Sequence, residues 1–304
     1  MSGQQVKRVK RPISGVLLLD KPYGFSSNGA LQKVKWLYQA EKAGHTGNLD
    51  PIATGLLPIC LGEATKFSQV LLDADKAYLA TLKFGQTTTT GDSEGEVLET
   101  RPVAVEEARL RDVLQAVTGK IEQVPPMYSA LKHEGRKLYE YARQGVEIER
   151  KARPVTIYGI ELVRFAGDEL VIDVACSKGT YIRVLAEEIG RQLGCGAHLI
   201  GLRRTRTAGF ELQQAYTVEA LEAMSMAERD SLLLPADCLL QHLPEVRLAG
   251  DAGHYFSHGQ AVWHTRMQEQ GELRVYDDAG NFLGLGMVDA DGRVAPKRVL
   301  RIDR

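Results

Sequence analysis

Hydrophobic and polar positions along the chain fall into two periods, which outline its elements. Val16 to Leu19 form a short unbroken apolar run closed by Asp20, Lys21 and Pro22, the pattern of a buried strand ending in a turn. Residues 28–40 place Leu31, Val34 and Leu37 at helical spacing, with Ser26 or Ser27 as the N-cap. Residues 62–72 predict a second helix with Phe67, Val70 and Leu71 facing inward, and residues 78–85 alternate like a half-buried strand. Residues 105–118 predict a helix capped by Gly119. Two strands, 156–162 and 170–176, pair across the turn 166–168. Residues 177–183 then lead into a helix ending at Gly194, with Val184, Leu185, Ile189 and Leu193 as its buried stripe. Residues 199–210 are strand-like and carry Arg203, Arg204 and Arg206, and residues 218–226 form a short helix. From about residue 250, short alternating segments separated by Asp-Gly turns spell a β-rich module.

Two stretches escape both periods. Residues 44–55 pack one carboxylate, one imidazole, two threonine hydroxyls, three glycines and a proline into twelve positions. Glycine opens backbone conformations closed to other residues and proline fixes φ, so this is an ordered loop rather than a helix or strand. Asp50 precedes Pro51, which biases it toward an extended backbone and presents its carboxylate. Residues 124–153 begin irregularly and then mix Lys132, Arg136, Lys137, Arg143, Arg150, Lys151 and Arg153 with Tyr128, Tyr139 and Tyr141. Cations among aromatics suit phosphates and stacked bases. Glu134, Glu140, Glu147 and Glu149 dilute that charge, and a solvated face explains the segment about as well.

Composition narrows the class. The 304 residues, 44% hydrophobic and 25% charged, fit an ordinary globular protein of one large or two domains. A net charge of −1 argues against purely electrostatic nucleic-acid binding but leaves room for local basic faces, such as Lys7 to Arg11 and Arg293 to Arg304. Cys60, Cys176, Cys195 and Cys238 are far apart, which disfavours a disulfide framework or zinc site and suits a reducing compartment. No apolar run reaches the ~18 residues of a membrane helix, and Val16 to Leu19 is too short for a secretory signal. The cytoplasm is the expected address.

The chemistry centres on Asp50. No second carboxylate has an obvious partnering role, no histidine spacing suits a metal, and no nucleophile elbow, P-loop or dinucleotide fingerprint is present. If Lys21, Tyr78, Tyr181 and Arg183 gather around it, Asp50 becomes a lone carboxylate nucleophile beside an arginine that lowers its pKa and keeps it ionised. On the residues alone, blander readings stay open. Asp50 suits a turn, His45 a structural hydrogen bond, Tyr78 and Tyr181 a core, and Arg183 a structural ion pair.

A chain-wide resemblance changes that balance. Residues 44–51, Gly-His-Thr-Gly-Asn-Leu-Asp-Pro, resemble the catalytic loop of the bacterial TruB family, the tRNA pseudouridine-55 synthases. Residues 19–22 with Ser26 and Ser27 resemble the family's opening strand and turn; residues 54–58 and 62–66 continue the loop signature. Residues 76–78 resemble its base-stacking tyrosine motif, and 125–132 with 135–139 its RNA-gripping insertion. Residues 177–183 resemble the tyrosine-arginine motif, 201–205 a further wall of the site, and 296–300 a PUA-like C-terminal domain. Asn48 departs from the smaller residue that family members often carry, which bears on loop packing.

The resemblance implies an α+β fold: a central mixed, largely antiparallel sheet flanked by helices, plus a small β-rich PUA-like domain. It implies a catalytic domain over residues 1–249, with the RNA-gripping insertion at about 124–153, and an RNA-binding domain over 250–304. The implied reaction is isomerisation of the T-loop uridine, U55, of tRNA to pseudouridine. The uridine must first be flipped out of the RNA. His45 is then the wedge that takes its space, Tyr78 the stacking platform, and Asp50 the nucleophile at the ribose or the uracil ring. Arg183 holds Asp50, Tyr181 orders the pocket, Leu202 lines it and Lys21 supports the loop by charge. No cofactor, metal, membrane or obligate protein partner is expected; the expected partner is the tRNA T stem-loop, bound by a monomer. Two other readings compete: a non-catalytic RNA-binding or tRNA-folding module, and the related catalytic subunit of a guide-RNA particle. The latter needs partner proteins and often carries a long Lys/Glu-rich tail that this chain lacks.

Overall fold

The computed structural model describes residues 9–264 and 270–301. Lys7, Arg8, Asp303 and Arg304 of the basic termini lie outside the described residues. The apolar run at residues 16–19 builds the strand Gly15–Lys21, which pairs antiparallel along its whole length with Ala53–Leu61. Both strands are almost completely buried, as an unbroken apolar run requires. They belong to a ten-stranded sheet in the order Tyr216–Thr217, Gly15–Lys21, Ala53–Leu61, Ala197–Thr207, Lys76–Phe84, Glu169–Cys176, Arg153–Ala166 and Gly119–Gln123. Ala43–His45 and Phe210–Glu211 pair off this path. Tyr216–Thr217 runs parallel to Gly15–Lys21, Ala197–Thr207 runs parallel to Ala53–Leu61, and the remaining ladders are antiparallel.

The register creates one transverse row that matters later. Lys21 lies opposite Gly55, Gly55 opposite Arg204, and Arg204 opposite Tyr78. Gly55 is required there: its φ is +99°, and a Cβ would sit 2.4 Å from the Arg204 carbonyl oxygen.

Helices cover the sheet. Ser27–Leu37 buries Leu31, Val34 and Leu37 and is capped by the Ser26 hydroxyl, which accepts from the Gly29 N–H at 3.0 Å. Ile182–Leu193 buries Leu185 and Ile189 and stops at Gly194, left-handed at φ +80°. Glu107–Ala116 is shorter than the apolar pattern suggests, and Gly119 opens the next strand instead of capping the helix.

Two helix expectations fail locally. Residues 62–72 form two 3-10 turns, Gly62–Phe67 and Val70–Asp73, rather than one helix. Gly62 enters at φ +54° against the Ile13 carbonyl, and Phe67 and Leu71 still face inward. Residues 218–226 split into Val218–Ala223 and Met226–Ser231, because Ser225 and Glu228 form a capping box that starts a new helix.

The C-terminal segments form a five-stranded sheet ordered Glu245–Leu248, Gly271–Asp277, Phe282–Val288, Arg293–Val299 and Val262–Trp263, with Phe256 of the helix Asp251–Ser257 in its core. It rests on the 3-10 turns. Phe67 packs on Phe282 at 5.5 Å between ring centres, and Lys66 Nζ donates to the Val299 carbonyl at 2.7 Å. The architecture is therefore α+β, with a large mixed sheet and a smaller β-rich unit. Among the described residues no helix is long and apolar enough to cross a membrane.

Candidate active site

The loop is shorter than residues 44–55: it spans 46–52, because Gly44 and His45 belong to the strand Ala43–His45 and residues 53–55 open the strand Ala53–Leu61. Residues 46–53 are pinned through their backbone groups. The Thr46 N–H donates to the Pro58 carbonyl, and Arg204 Nη1 donates to the Asn48 carbonyl at 3.5 Å. The Leu49 N–H donates to Ser27 Oγ at 2.7 Å, and that hydroxyl donates back to the Leu49 carbonyl at 3.1 Å. The Ala53 N–H donates to the Asp50 carbonyl at 3.0 Å, closing a turn with Pro51 at its second position. Asp50 is thus fixed without using its carboxylate. The Asn48 departure lies exposed on the loop, and what the loop uses there is its carbonyl.

Arg183, the second residue of its helix, meets that carboxylate: Nη2 lies 3.0 Å from Asp50 Oδ2. The guanidinium is buried and divided among four partners. Nε faces Asp92 Oδ2 at 3.6 Å, Nη1 donates to the Thr90 carbonyl at 3.1 Å, and Nη2 also donates to the Tyr128 carbonyl at 2.7 Å. Asp92 is itself buried, accepting from Thr90 Oγ1 and from the Glu94 N–H. Asp50 differs: 43% of its side chain is exposed, so the carboxylate stays open to a substrate while protein surrounds the rest of it.

The electrostatics amend one expectation. Burial pushes the Asp50 carboxyl up, Arg183 pulls it down, Asp92 adds to the rise and Lys21 opposes it, with a net upward direction. Arg183 limits the rise rather than lowering Asp50 below its ordinary value. Burial carries the Lys21 ammonium down to about 8, partly offset by Asp50, while Arg204 presses it lower. Lys21 is fully buried and donates to the Pro22 and Phe25 carbonyls, bracing the opening turn rather than bonding to Asp50.

The other expected residues surround this pair. Tyr78 is 8% exposed; burial raises its phenol, and the Arg204 guanidinium opposes that rise. Burial lowers the His45 imidazole, keeping it neutral at pH 7, and its Nδ1 is buried with no partner among the described atoms. Tyr181 caps the Arg183 helix. Its N–H donates to Gln123 Oε1 at 3.0 Å, and Gln123 Nε2 donates to its carbonyl at 3.3 Å. Leu202 is half-buried, opposite Ala53 and Ala80, and its carbonyl accepts from Thr54 Oγ1.

Sequence reasoning missed Asp92, Gln123 and the part played by Arg204. Asp92 sits in a Thr-Gly-Asp-Ser turn, Gln123 ends a strand, and Arg204 lay in view only as one of three clustered arginines. Among the described residues no group of three or more His, Cys, Asp or Glu side chains is placed to hold a metal ion.

The 124–153 segment holds a small basic hairpin followed by the short helix Leu138–Ala142. Lys132–His133 pairs with Arg136–Lys137 across Glu134 and Gly135, both at positive φ. Arg136 lies 4.7 Å over the Tyr141 ring, and Arg143 lies 5.3 Å over Tyr139.

Comparison with known proteins identifies the family. Residues 35–182 match the TruB family pseudouridylate synthase N-terminal domain. Residues 183–241 match the tRNA pseudouridylate synthase B C-terminal domain, and residues 244–300 match the pseudouridine synthase II TruB C-terminal region. The chain is 60% identical to tRNA pseudouridine synthase B of Methylobacillus flagellatus over 98% of both chains. It is 54% identical to that of Stutzerimonas stutzeri, over 98% of this chain and 99% of the relative. Among solved structures, one of a Cbf5-Nop10-Gar1 complex superposes with a TM-score of 0.71 at 28% identity, covering 94% of this chain and 84% of the other. Another, an H/ACA RNP bound to a substrate RNA containing 2'-deoxyuridine, gives 0.70 at 25% identity over 95% and 85%. With both ends of the chain matched and the relatives aligned across nearly their full length, this protein belongs to the TruB family of pseudouridylate synthases.

Proposed function

We propose that the protein isomerises the T-loop uridine, U55, of tRNA to pseudouridine, with Asp50 as its nucleophile. The observation that carries this reading is the Asp50–Arg183 pair: an accessible carboxylate 3.0 Å from a buried guanidinium, on a loop held through its own backbone groups. The names of the full-length relatives support tRNA as the substrate.

The uridine leaves the stack, and its base enters the cleft between Tyr78 and the loop, with His45 in the space it vacates. A neutral imidazole suits a wedge in that apolar space better than a cation would. Asp50 forms a bond to the ribose anomeric carbon or to the uracil ring, and the N1–C1' bond breaks. The base turns within the pocket, and C5 bonds to C1' as the Asp50 carboxylate leaves C1', or, where Asp50 had bonded the ring, the carboxylate is eliminated from the ring after C5–C1' forms. The C5 proton is lost and N1 regains one, so no atom or electron is added. Tyr181, fixed by Gln123, and Leu202 bound the space in which the base turns. The basic hairpin and the C-terminal sheet, the latter a PUA-like domain in this reading, grip the RNA outside the cleft. The protein acts alone, as a monomer.

Incubating the purified protein with unmodified tRNA and mapping new pseudouridine tests this directly. One modified position, U55, is expected; no product, or product elsewhere only, overturns it. Phosphate contacts also make affinity salt-dependent. Binding falls by roughly 10- to 100-fold between about 50 and 200 mM salt, and a flat response would count against RNA as the substrate.

A further inference from the structure

We propose that Arg204 is a positioning residue that ties the Asp50 loop to Tyr78. This rests on the functional reading above.

Arg204 is 1% exposed and stands third in the row Lys21, Gly55, Arg204, Tyr78 across four adjacent strands. Its side chain reaches the loop at Asn48 and the strand Ala53–Leu61 that follows it. Nη1 donates to the Asn48 carbonyl at 3.5 Å, and Nε donates to the Leu56 carbonyl at 2.7 Å. Gly55 makes room for it: a Cβ there would collide with the Arg204 backbone. On the other side lies the Tyr78 phenol, whose ionisation Arg204 favours. One guanidinium therefore touches the carrier of the nucleophile and borders the stacking ring.

Its electrostatics point to function rather than to stability. Arg183 and Arg203 pair with Asp50 and Asp20, but Arg204 pairs with no carboxylate among the described residues. Its Nη2 is buried with no hydrogen-bond partner among the described atoms. A buried, uncompensated charge costs stability that a methionine of similar volume would not. Its presence follows if relative placement of Asp50 and Tyr78 is what it supplies.

The test uses the full-length protein with Arg204→Lys, Arg204→Met and Tyr78→Phe, singly and combined. Single-turnover pseudouridine formation is measured at saturating tRNA, with tRNA Kd and Tm alongside. Arg204→Met slows the step by about 100-fold, as misplacement by an ångström does, while Kd stays within about twofold. Arg204→Lys, which keeps charge and bulk, recovers part of the loss. Tyr78→Phe keeps the ring and removes the phenol, so each Arg204 substitution costs several-fold less in that background; a merely structural loss would be additive. Wild-type rates in Arg204→Lys and Arg204→Met, or full additivity with Tyr78→Phe, overturn the proposal. A wild-type protein that makes no pseudouridine overturns the functional reading instead.

Discussion

Asp50→Asn is expected to lower the single-turnover rate of pseudouridine formation by more than about 10⁴-fold, the scale on which removal of a covalent nucleophile acts. The amide has the same shape but no charge and no nucleophilic oxygen. The substitution is clean because the loop does not depend on the carboxylate. Ser27, Pro58, Arg204 and the Asp50–Ala53 turn hold it through backbone groups. Arg183 also keeps three of its four partners: Asp92 and the carbonyls of Thr90 and Tyr128. Folding and tRNA affinity should therefore survive, and affinity should be unchanged or tighter, since a half-exposed negative charge is removed from beside a polyanion. Equilibrium binding and quantitative pseudouridine mapping on the same preparation check both halves. Retained activity removes Asp50 from the mechanism. Tight binding by a wild-type protein that forms no pseudouridine favours the RNA-binding reading.

What the sequence could reveal follows from where each signal resides. The strand 15–21 and the helix 182–193 were legible because an unbroken apolar run and a one-sided apolar stripe are both local patterns. The 62–72 segment misled because Phe67 and Leu71 keep helical spacing, while Gly62 turns the backbone out of the helical region. Asp50 stood out because glycine and proline around it break both apolar periods, and the loop motif carries the family resemblance. Asp92 and Arg204 did not, because their roles depend on register and tertiary contact. Nothing near Arg204 in sequence shows that it lies opposite both Gly55 and Tyr78. The direction of the Asp50 pKa was misjudged for the same reason: a nearby arginine is a readable guess, whereas the extent of burial belongs to the folded state.

The two neighbours of Asp50 should move its titration in opposite directions, which separates charge from geometry. Arg183 lowers the Asp50 pKa and Asp92 raises it. In Arg183→Lys, a point charge replaces a planar fork that serves four partners, and the compact ammonium cannot hold them all. The plateau rate should fall by about 100-fold, and the acid limb of the pH–rate profile should move to higher pH as Asp50 loses stabilisation of its charged form. In Asp92→Asn, the amide keeps the acceptor used by Thr90 and Glu94 but removes the negative charge behind Arg183. That relieves Asp50, so the acid limb should move to lower pH. The plateau should still fall, by about 10-fold or more, because Arg183 loses the partner that orients its Nε. Single-turnover rates at saturating tRNA across the acid-to-neutral range show both limbs. Shifts of the same sign in the two variants would mean that Asp50 is not the group whose ionisation controls the step.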